Sequence, residues 1–256
     1  MKMIRQFTFL LFILIIFSCN TGGGGNNAAS VDGTVPEPEV SVRFTGVKPY
    51  YVEGRLDKEV TYVRGVRNGM TKTYYSSGGL KQVIIYDQGL RNDTAMWFYE
   101  DGNLYRTTPY VRDTIHGIQV QYYRSGRLKA HMSYNMGLRY PDLREYYDNG
   151  KMKVYNREII IKTRDEYTER GVYKIFAELD NKSEVVVFYR GEFDNGLFNP
   201  DKLEKLTTSG GTGYLELSKS SAGNPGYADI IAEYTTDFGN LNYIYKRVSI
   251  PYRDVN

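Results

Sequence analysis

The sequence predicts an all-β chain in two parts, an elongated antiparallel sheet of β-hairpin repeats with a 24-residue period, followed by a β-sandwich. Three observations lead there. Tyrosine supplies 25 residues beside 11 Phe and one Trp, and tyrosine favours strands and half-wet surfaces. Gly54, Gly78, Gly102, Gly126 and Gly150 recur at intervals of 24 residues, as do Tyr51, Tyr75, Tyr99, Tyr123 and Tyr147. After Asn156 the period stops, and short strand-like runs alternate with turn clusters to the end of the chain.

Residues 1–18 read as a lipoprotein signal peptide. Lys2 and Arg5 open a basic start, and Phe7 to Phe17 is an apolar run interrupted only by Thr8, too short to span a bilayer as a helix. It ends in Ile16-Phe17-Ser18-Cys19, which resembles the bacterial lipobox, with Phe17 departing from the usual second position. The resemblance implies that Cys19, the single cysteine of the chain, is lipidated and fixes the mature protein to a membrane through two or more acyl chains. Residues 19–39 then form a flexible tether: Gly22 to Gly25, Asn26-Asn27 and Pro36-Glu37-Pro38-Glu39 carry no core-forming content. About twenty such residues reach roughly 25 Å. The expected location is the bacterial cell envelope, lipid-anchored, with Asn20 rather than Asp after the cysteine resembling outer-membrane sorting.

Residues 40–156 hold the repeats, with Val40-Ser41-Val42-Arg43-Phe44 as a candidate strand capping their first unit. Tyr50, Tyr74, Phe98, Tyr122 and Tyr146 form a further register, and so do Leu56, Leu80, Leu104, Leu128 and Met152. The residue before each register glycine is Glu53, Ser77, Asp101, Ser125 or Asn149, which predicts two-residue type I′ turns with positive φ at both positions. Strand parity then separates two faces. A packed face carries Tyr75/Leu80, Tyr99/Leu104, Tyr123/Leu128 and Tyr147/Met152, with Val60, Ile84, Met132 and Trp97. A wetter face carries Tyr74/Lys81, Phe98/Tyr105, Tyr122/Lys129 and Tyr146/Lys153, an aromatic and cationic ladder edged by Arg127 and Lys151. Such a ladder either stabilises the sheet by cross-strand pairing alone or is a binding surface suited to glycans, peptidoglycan stems, anionic lipid heads or an acidic protein face. Tyr74, Lys81, Phe98, Tyr122, Lys129, Tyr146 and Lys153 are therefore the candidate binding residues.

The strings Tyr62-Val63-Arg64-Gly65-Val66-Arg67-Asn68-Gly69 and Tyr74-Tyr75-Ser76-Ser77-Gly78-Gly79-Leu80-Lys81 resemble the MORN repeat, in the bacterial variant of the YwqK type that is often labelled as antitoxin. The likeness covers about 107 residues, Tyr50 to Asn156, and departs from the pattern at Asp113, where a glycine is missing, and at Pro141. It implies one long twisted sheet of hairpins, each touching mainly its neighbours.

Residues 157–256 differ in charge as well as in pattern, with a net −3 against a net +5 for residues 50–156. Runs such as Val172 to Leu179, Glu184 to Phe193, Ala228 to Thr235 and Leu241 to Tyr252 lie between the turn clusters Ser209-Gly210-Gly211, Asn224-Pro225-Gly226 and Asp237-Phe238-Gly239-Asn240. The spacing predicts a β-sandwich that resembles the immunoglobulin or fibronectin type III architecture, without its Cys, Trp, Cys framework.

One cysteine and two histidines, His116 and His131, leave no metal or thiol site, and no acid and base share a recognisable spacing. Asp194-Asn195-Gly196 reads as a turn and Gly210-Gly211-Thr212-Gly213 lacks the context of a phosphate loop. The net charge of +3 is too small to announce a nucleic-acid binder. The chain thus reads as a non-enzyme without cofactor or metal: an anchored binding or scaffold module whose repeats contact an envelope protein or glycan. The alternatives are an envelope antitoxin or immunity protein and a purely structural spacer.

Overall fold

A computed structural model describes residues 43–180 and 185–256; the expected signal peptide, Cys19, the expected tether and residues 40–42 of the expected cap lie outside the described residues. From residue 43 onward the chain forms one compact unit. Among the described residues no helix is long and apolar enough to cross a membrane.

The repeats build a 13-stranded antiparallel sheet. Its path runs in chain order through Gly46–Val52, Arg55–Val63, Val66–Tyr74, Leu80–Asp87, Asp93–Phe98, Leu104–Val111, Gly117–Tyr122, Leu128–Asn135, Arg144–Tyr146 and Met152–Lys153. Short strands Leu90–Arg91, Thr114–Ile115 and Leu138–Arg139 fold back on the ends of the strands before them. Arg43 and Phe44 are not a strand; the strand that starts the sheet is Gly46–Val52, and Phe44 reaches the first linking turn, accepting a hydrogen bond from Gly65 N at 2.7 Å.

Two kinds of turn close the hairpins, and they are distributed differently from the prediction. At the register glycines only Glu53-Gly54, with φ of 49° and 77°, is the expected two-residue turn. At Gly78, Gly102, Gly126 and Gly150 the glycine alone is left-handed, with φ between 80° and 87°. Gly102 N donates to Tyr99 O at 3.0 Å and Tyr99 N to Asn103 O at 2.8 Å, which makes Glu100-Asp101-Gly102 a three-residue loop with a bulge. The small polar residue before the glycine does something other than adopt positive φ: Asp101 Oδ1 accepts from Asn103 N and Asn149 Oδ1 from Lys151 N, bonds that bridge the glycine. The type I′ pairs sit instead on the opposite edge of the sheet, at Arg64-Gly65, Gln88-Gly89, Arg112-Asp113 and Met136-Gly137. Asp113 takes φ 69° where the other units have glycine, and its carboxylate accepts from Arg91 N and Nε.

The extra loop residue slips the register by one, and a one-residue slip carries side chains to the other face. Phe98 faces Leu104, not Tyr105, and Trp97 faces Arg106, with Tyr105 bulged out between them. Tyr74 likewise faces Leu80, Tyr122 faces Leu128 and Tyr146 faces Met152. In the Gly78, Gly102 and Gly126 hairpins the bulged residue cancels the slip, so that Thr73 faces Gln82, Trp97 faces Arg106 and Gln121 faces Ala130 as expected, and the packed face keeps the row Val60, Thr71, Ile84, Ala95, Thr108, Gln119 and Met132, in which Val60, Ala95 and Thr108 are each 1% exposed.

Beyond Ile159 the chain forms two four-stranded antiparallel sheets, a β-sandwich. One orders its strands Ile159–Glu166, Val172–Leu179, Thr212–Ser218, Thr207–Ser209; the other orders Glu204–Lys205, Val186–Arg190, Tyr227–Thr235, Leu241–Ser249. Alternate residues fill the space between them, among them Ile175, Leu179, Phe188, Leu217, Ile230 and Tyr234. The sheets approach closely at Gly213, where a Cβ would lie 2.6 Å from the Phe188 ring. On the outer side of the second sheet Tyr189, Ile231 and Tyr243 pack with Phe198 as a separate apolar cluster.

Candidate interaction surface

The candidate ladder is divided by the register slip. Tyr74, Phe98, Tyr122 and Tyr146 remain on the face opposite Val60, but their cross-strand partners there are Leu80, Leu104, Leu128 and Met152. Tyr74 OH donates to Glu59 Oε2 at 2.6 Å, and that bond pushes its pKa up to about 12. Tyr146 lies beside His131, ring centroids 6.1 Å apart. Lys81, Lys129 and Lys153 turn to the other face, where they meet the other tyrosine register: Lys81 Nζ stands 5.6 Å from the Tyr75 ring, Lys129 Nζ 5.8 Å from Tyr123 and Lys153 Nζ 5.8 Å from Tyr147. Tyr105 takes the same place against Tyr99, at 5.1 Å, and Arg124 adds its guanidinium 4.8 Å from Tyr99. Cation over ring is a favourable quadrupole contact. A ladder exists, built on Tyr75, Tyr99, Tyr123 and Tyr147 and not on the tyrosines predicted.

Each of these rings also fastens one repeat to the next. Tyr75 OH donates to Phe98 O at 2.6 Å, Tyr99 OH to Tyr122 O at 2.8 Å and Tyr123 OH to Tyr146 O at 2.7 Å. The opposite edge is fastened by main-chain bonds of similar reach, Gly89 N to Arg67 O, Asp113 N to Arg91 O and Gly137 N to Ile115 O, each 2.8 Å. A second aromatic and cationic rim follows that edge: the Arg67 guanidinium is 5.6 Å from Tyr86 and that of Arg91 is 4.4 Å from Tyr110. Arg91 in turn holds Asp113 below the usual carboxylate range. The face that contains the buried Val60 row is thus bordered on both sides by tyrosines and cations.

At its C-terminal end this face meets the sandwich, and Lys153 belongs to that joint. Its side chain is 12% exposed, with Nζ 2.5 Å from Asp237 Oδ2 and 4.5 Å from the Phe238 ring. Lys153 lowers the Asp237 pKa by hydrogen bond and charge. Lys129 also lies 5.8 Å from Phe238, and Tyr147 meets that ring edge to face at 5.8 Å. Below them Glu145, 1% exposed, accepts from Thr236 Oγ1 at 2.9 Å, from Asn240 Nδ2 at 2.5 Å and from Tyr155 OH. Burial and the Glu145 contact push the Tyr155 hydroxyl pKa up. Asn240 Oδ1 accepts from Gln121 Nε2 at 2.7 Å, which closes the network. A second point of contact joins Arg139 to Phe198 through Phe198 N and Arg139 O at 2.8 Å, with the Arg139 guanidinium 5.4 Å from Tyr243. Thr236, Phe238 and Asn240 were hidden in a segment that reads as an ordinary turn. The signal for them is Phe238, an aromatic ring at the centre of Asp237-Phe238-Gly239-Asn240, where solvent exposure would favour a polar residue.

Among the described residues no group of three or more His, Cys, Asp or Glu side chains gathers as a metal site. No curated protein matches the chain. A family model described as MORN repeat variant matches residues 94–112 and 115–136, two successive register-glycine hairpins of the sheet.

Proposed function

We propose that the protein is a binding or scaffold module of the bacterial cell envelope, anchored through lipidated Cys19, and that its repeat sheet makes the contacts with an envelope protein or glycan. The observation that carries the reading is the row of tyrosines beside the register-glycine turns: Tyr75, Tyr99 and Tyr123 each have a cation over the ring, Lys81 and Lys129 from the same hairpin and Arg124 from the next one. Flat rings with adjacent cations suit sugar faces and acidic protein surfaces alike. The MORN repeat match over residues 94–136 supports a binding repeat. The lipobox-like Ile16-Phe17-Ser18-Cys19 supports the anchor. The sandwich is read as immunoglobulin-like, supported by its strand order: naming its strands A, B, C, C′, D, E, F and G along the chain gives A-B-E-D facing C′-C-F-G.

The test keeps the chain whole. Full-length protein with Lys81→Glu and Arg124→Glu together, crosslinked in cells and compared by mass spectrometry with the parent, is expected to lose its envelope partners while keeping its melting profile within a few degrees. An unchanged partner set sinks the reading. For the anchor, Cys19→Ala should accumulate as unlipidated precursor; normal processing and membrane attachment of that variant would refute it. A structural spacer is the second reading, favoured by the Tyr99 hydroxyl bond to Tyr122 O, which gives the ladder a role inside the sheet. It expects the double variant to leave the cellular phenotype intact.

A further inference from the structure

The two ends of the repeat sheet are finished differently. At the C-terminal end Lys153 and its strand are closed by Asp237 and Phe238. At the other end Gly46–Val52 is hydrogen-bonded on one side only, to Arg55–Val63, and ends the sheet as an edge strand. An edge strand presents a row of main-chain donors and acceptors that can pair with another strand. The described chain does not cover this one. Residues before it turn away toward the first linker, where Phe44 O accepts from Gly65 N and Thr45 Oγ1 from Arg64 N. Pro49 has no N–H, so its nitrogen faces the open side, and by strand alternation the main-chain groups of Val47 face the same way.

The surroundings of this edge are mixed on one face, where Val47, Met70 and Ile85 stand beside Glu59 and Lys72, and cationic on the other. A cleft of ≈ 540 Å³ runs along the edge between Phe44, Tyr62, Val47, Lys48 and Pro49. A second, of ≈ 590 Å³, lies on the face of Val47, Met70 and Ile85, opened by Gly69, which has no side chain to fill it. Phe44, Val47 and Met70 are 50%, 56% and 54% exposed. On the Val60 face of the same strands stand Lys48 and Lys58, 5.5 and 5.3 Å from the Tyr50 ring, and Arg67, cross-strand from Tyr62. Among the described residues none of these three cations makes an ion pair with a carboxylate.

We infer that the Gly46–Val52 edge accepts an extended segment of a partner protein as an added antiparallel strand, with apolar residues on the side of Val47 and Met70 and acidic residues on the side of Lys48, Lys58 and Arg67. Main-chain pairing gives such a contact its affinity and the alternating side chains give it specificity. The inference rests on the reading of the protein as a binding module and names the chemistry of its partner.

Binding of the fluorescein-labelled synthetic peptide Ser-Val-Glu-Ile-Asp-Val-Glu-Ser to the full chain in detergent, followed by fluorescence anisotropy, tests it. Saturable binding is expected, weakened about tenfold or more by Val47→Asp and by Lys48→Glu, with slowed hydrogen exchange at the Val47 amide when peptide is bound. Peptides with Lys in place of the acids, or with the same residues scrambled out of alternation, should fail to bind. Equal binding of the scrambled peptide, unchanged affinity in both variants, or no binding at about 1 mM overturns the inference. So does crosslinking that places residues 20–42 of the chain itself along Val47. Should Val47→Asp keep the envelope partners while the rim variant loses them, the edge inference falls and the binding-module reading stands.

Discussion

Tyr99 works in two directions at once, its hydroxyl on the Tyr122 carbonyl and its ring under the Arg124 guanidinium. Tyr99→Phe keeps the ring and removes one hydrogen bond, so it should cost about 0.5–1.5 kcal/mol in urea unfolding, whereas Tyr99→Ser should cost several times more because the ring contact is lost as well. Equal losses in the two variants would place the energy in the hydroxyl alone. Glu145 is a different case, a carboxylate with almost no exposure whose two oxygens both accept hydrogen bonds. Glu145→Ala leaves the Asn240 amide and the Thr236 hydroxyl without their partner, and each orphaned donor costs about 1–3 kcal/mol. Gln121→Ala removes only the outer link of the network and should cost less. The carboxylates of Asp113 and Asp237 are held below their usual pKa by Arg91 and Lys153. A depressed folded pKa gives stability that is present above the unfolded value of about 3.9 and is lost as pH falls through the folded one. Urea midpoints measured at pH 7 and pH 3 should therefore fall less in Asp237→Asn than in the parent; an identical drop would remove the Lys153 pair from the explanation.

At the scale of the hairpin, the two turn types explain what the sequence conveyed and what it concealed. The period and the succession of hairpins over residues 50–153 follow from glycine and tyrosine spacing alone. The loop length does not, because Asp-Gly and Asn-Gly serve both as a two-residue type I′ turn and as the end of a three-residue loop. Asp101 and Asn149 resolve the choice through side-chain bonds to the amides of Asn103 and Lys151, which the spacing does not reveal. That single ambiguity moved Lys81, Lys129 and Lys153 to the wrong face and paired them with the wrong tyrosines. The linking turns carry their own check. Asp113 is strained at φ 69° but bonded to Arg91. Asp113→Gly relieves the backbone and gives up the pair, so Arg91→Ala should be less damaging in the Asp113→Gly background, where the Tyr110 ring contact and the bond to the main-chain carbonyl of residue 113 are what it still removes, than in the parent. A double-mutant cycle in which the two effects add would contradict that coupling. Gly102→Ala has no such compensation at φ 87° and should destabilise by about 1 kcal/mol or more in the same unfolding assay.

For the whole molecule, the composition change after Asn156 marks where the fold changes, yet it gives no hint that the two parts are bonded to each other. The joint is made by residues more than ninety positions apart, Glu145 with Asn240 and Gln121 with Asn240, and by Phe238 under Lys153. Such pairings have no local pattern, which is why residues of a plain turn came to matter as much as the repeats. Repeat arrays unfold by nearest-neighbour loss from their ends. Here the sandwich holds one end, so calorimetry of the parent should give a single transition. Phe238→Ala with Asn240→Ala should split it, a low transition for the repeats and a higher one for the sandwich. Two transitions already present in the parent would mean that the joint transmits no stability.

The fastening of Tyr75 to Phe98, Tyr99 to Tyr122 and Tyr123 to Tyr146 spans 23 residues each time. It sets a quantum of growth. Two strands at about 4.8 Å each make one unit roughly 10 Å wide, and a copied stretch of 24 residues would find both of its neighbours already carrying the matching bond. Insertions that are not a whole number of such units would leave a hydroxyl without its carbonyl. Such a sheet can change its span by gene duplication in steps of one unit while both finished ends, the open edge and the docked one, stay as they are.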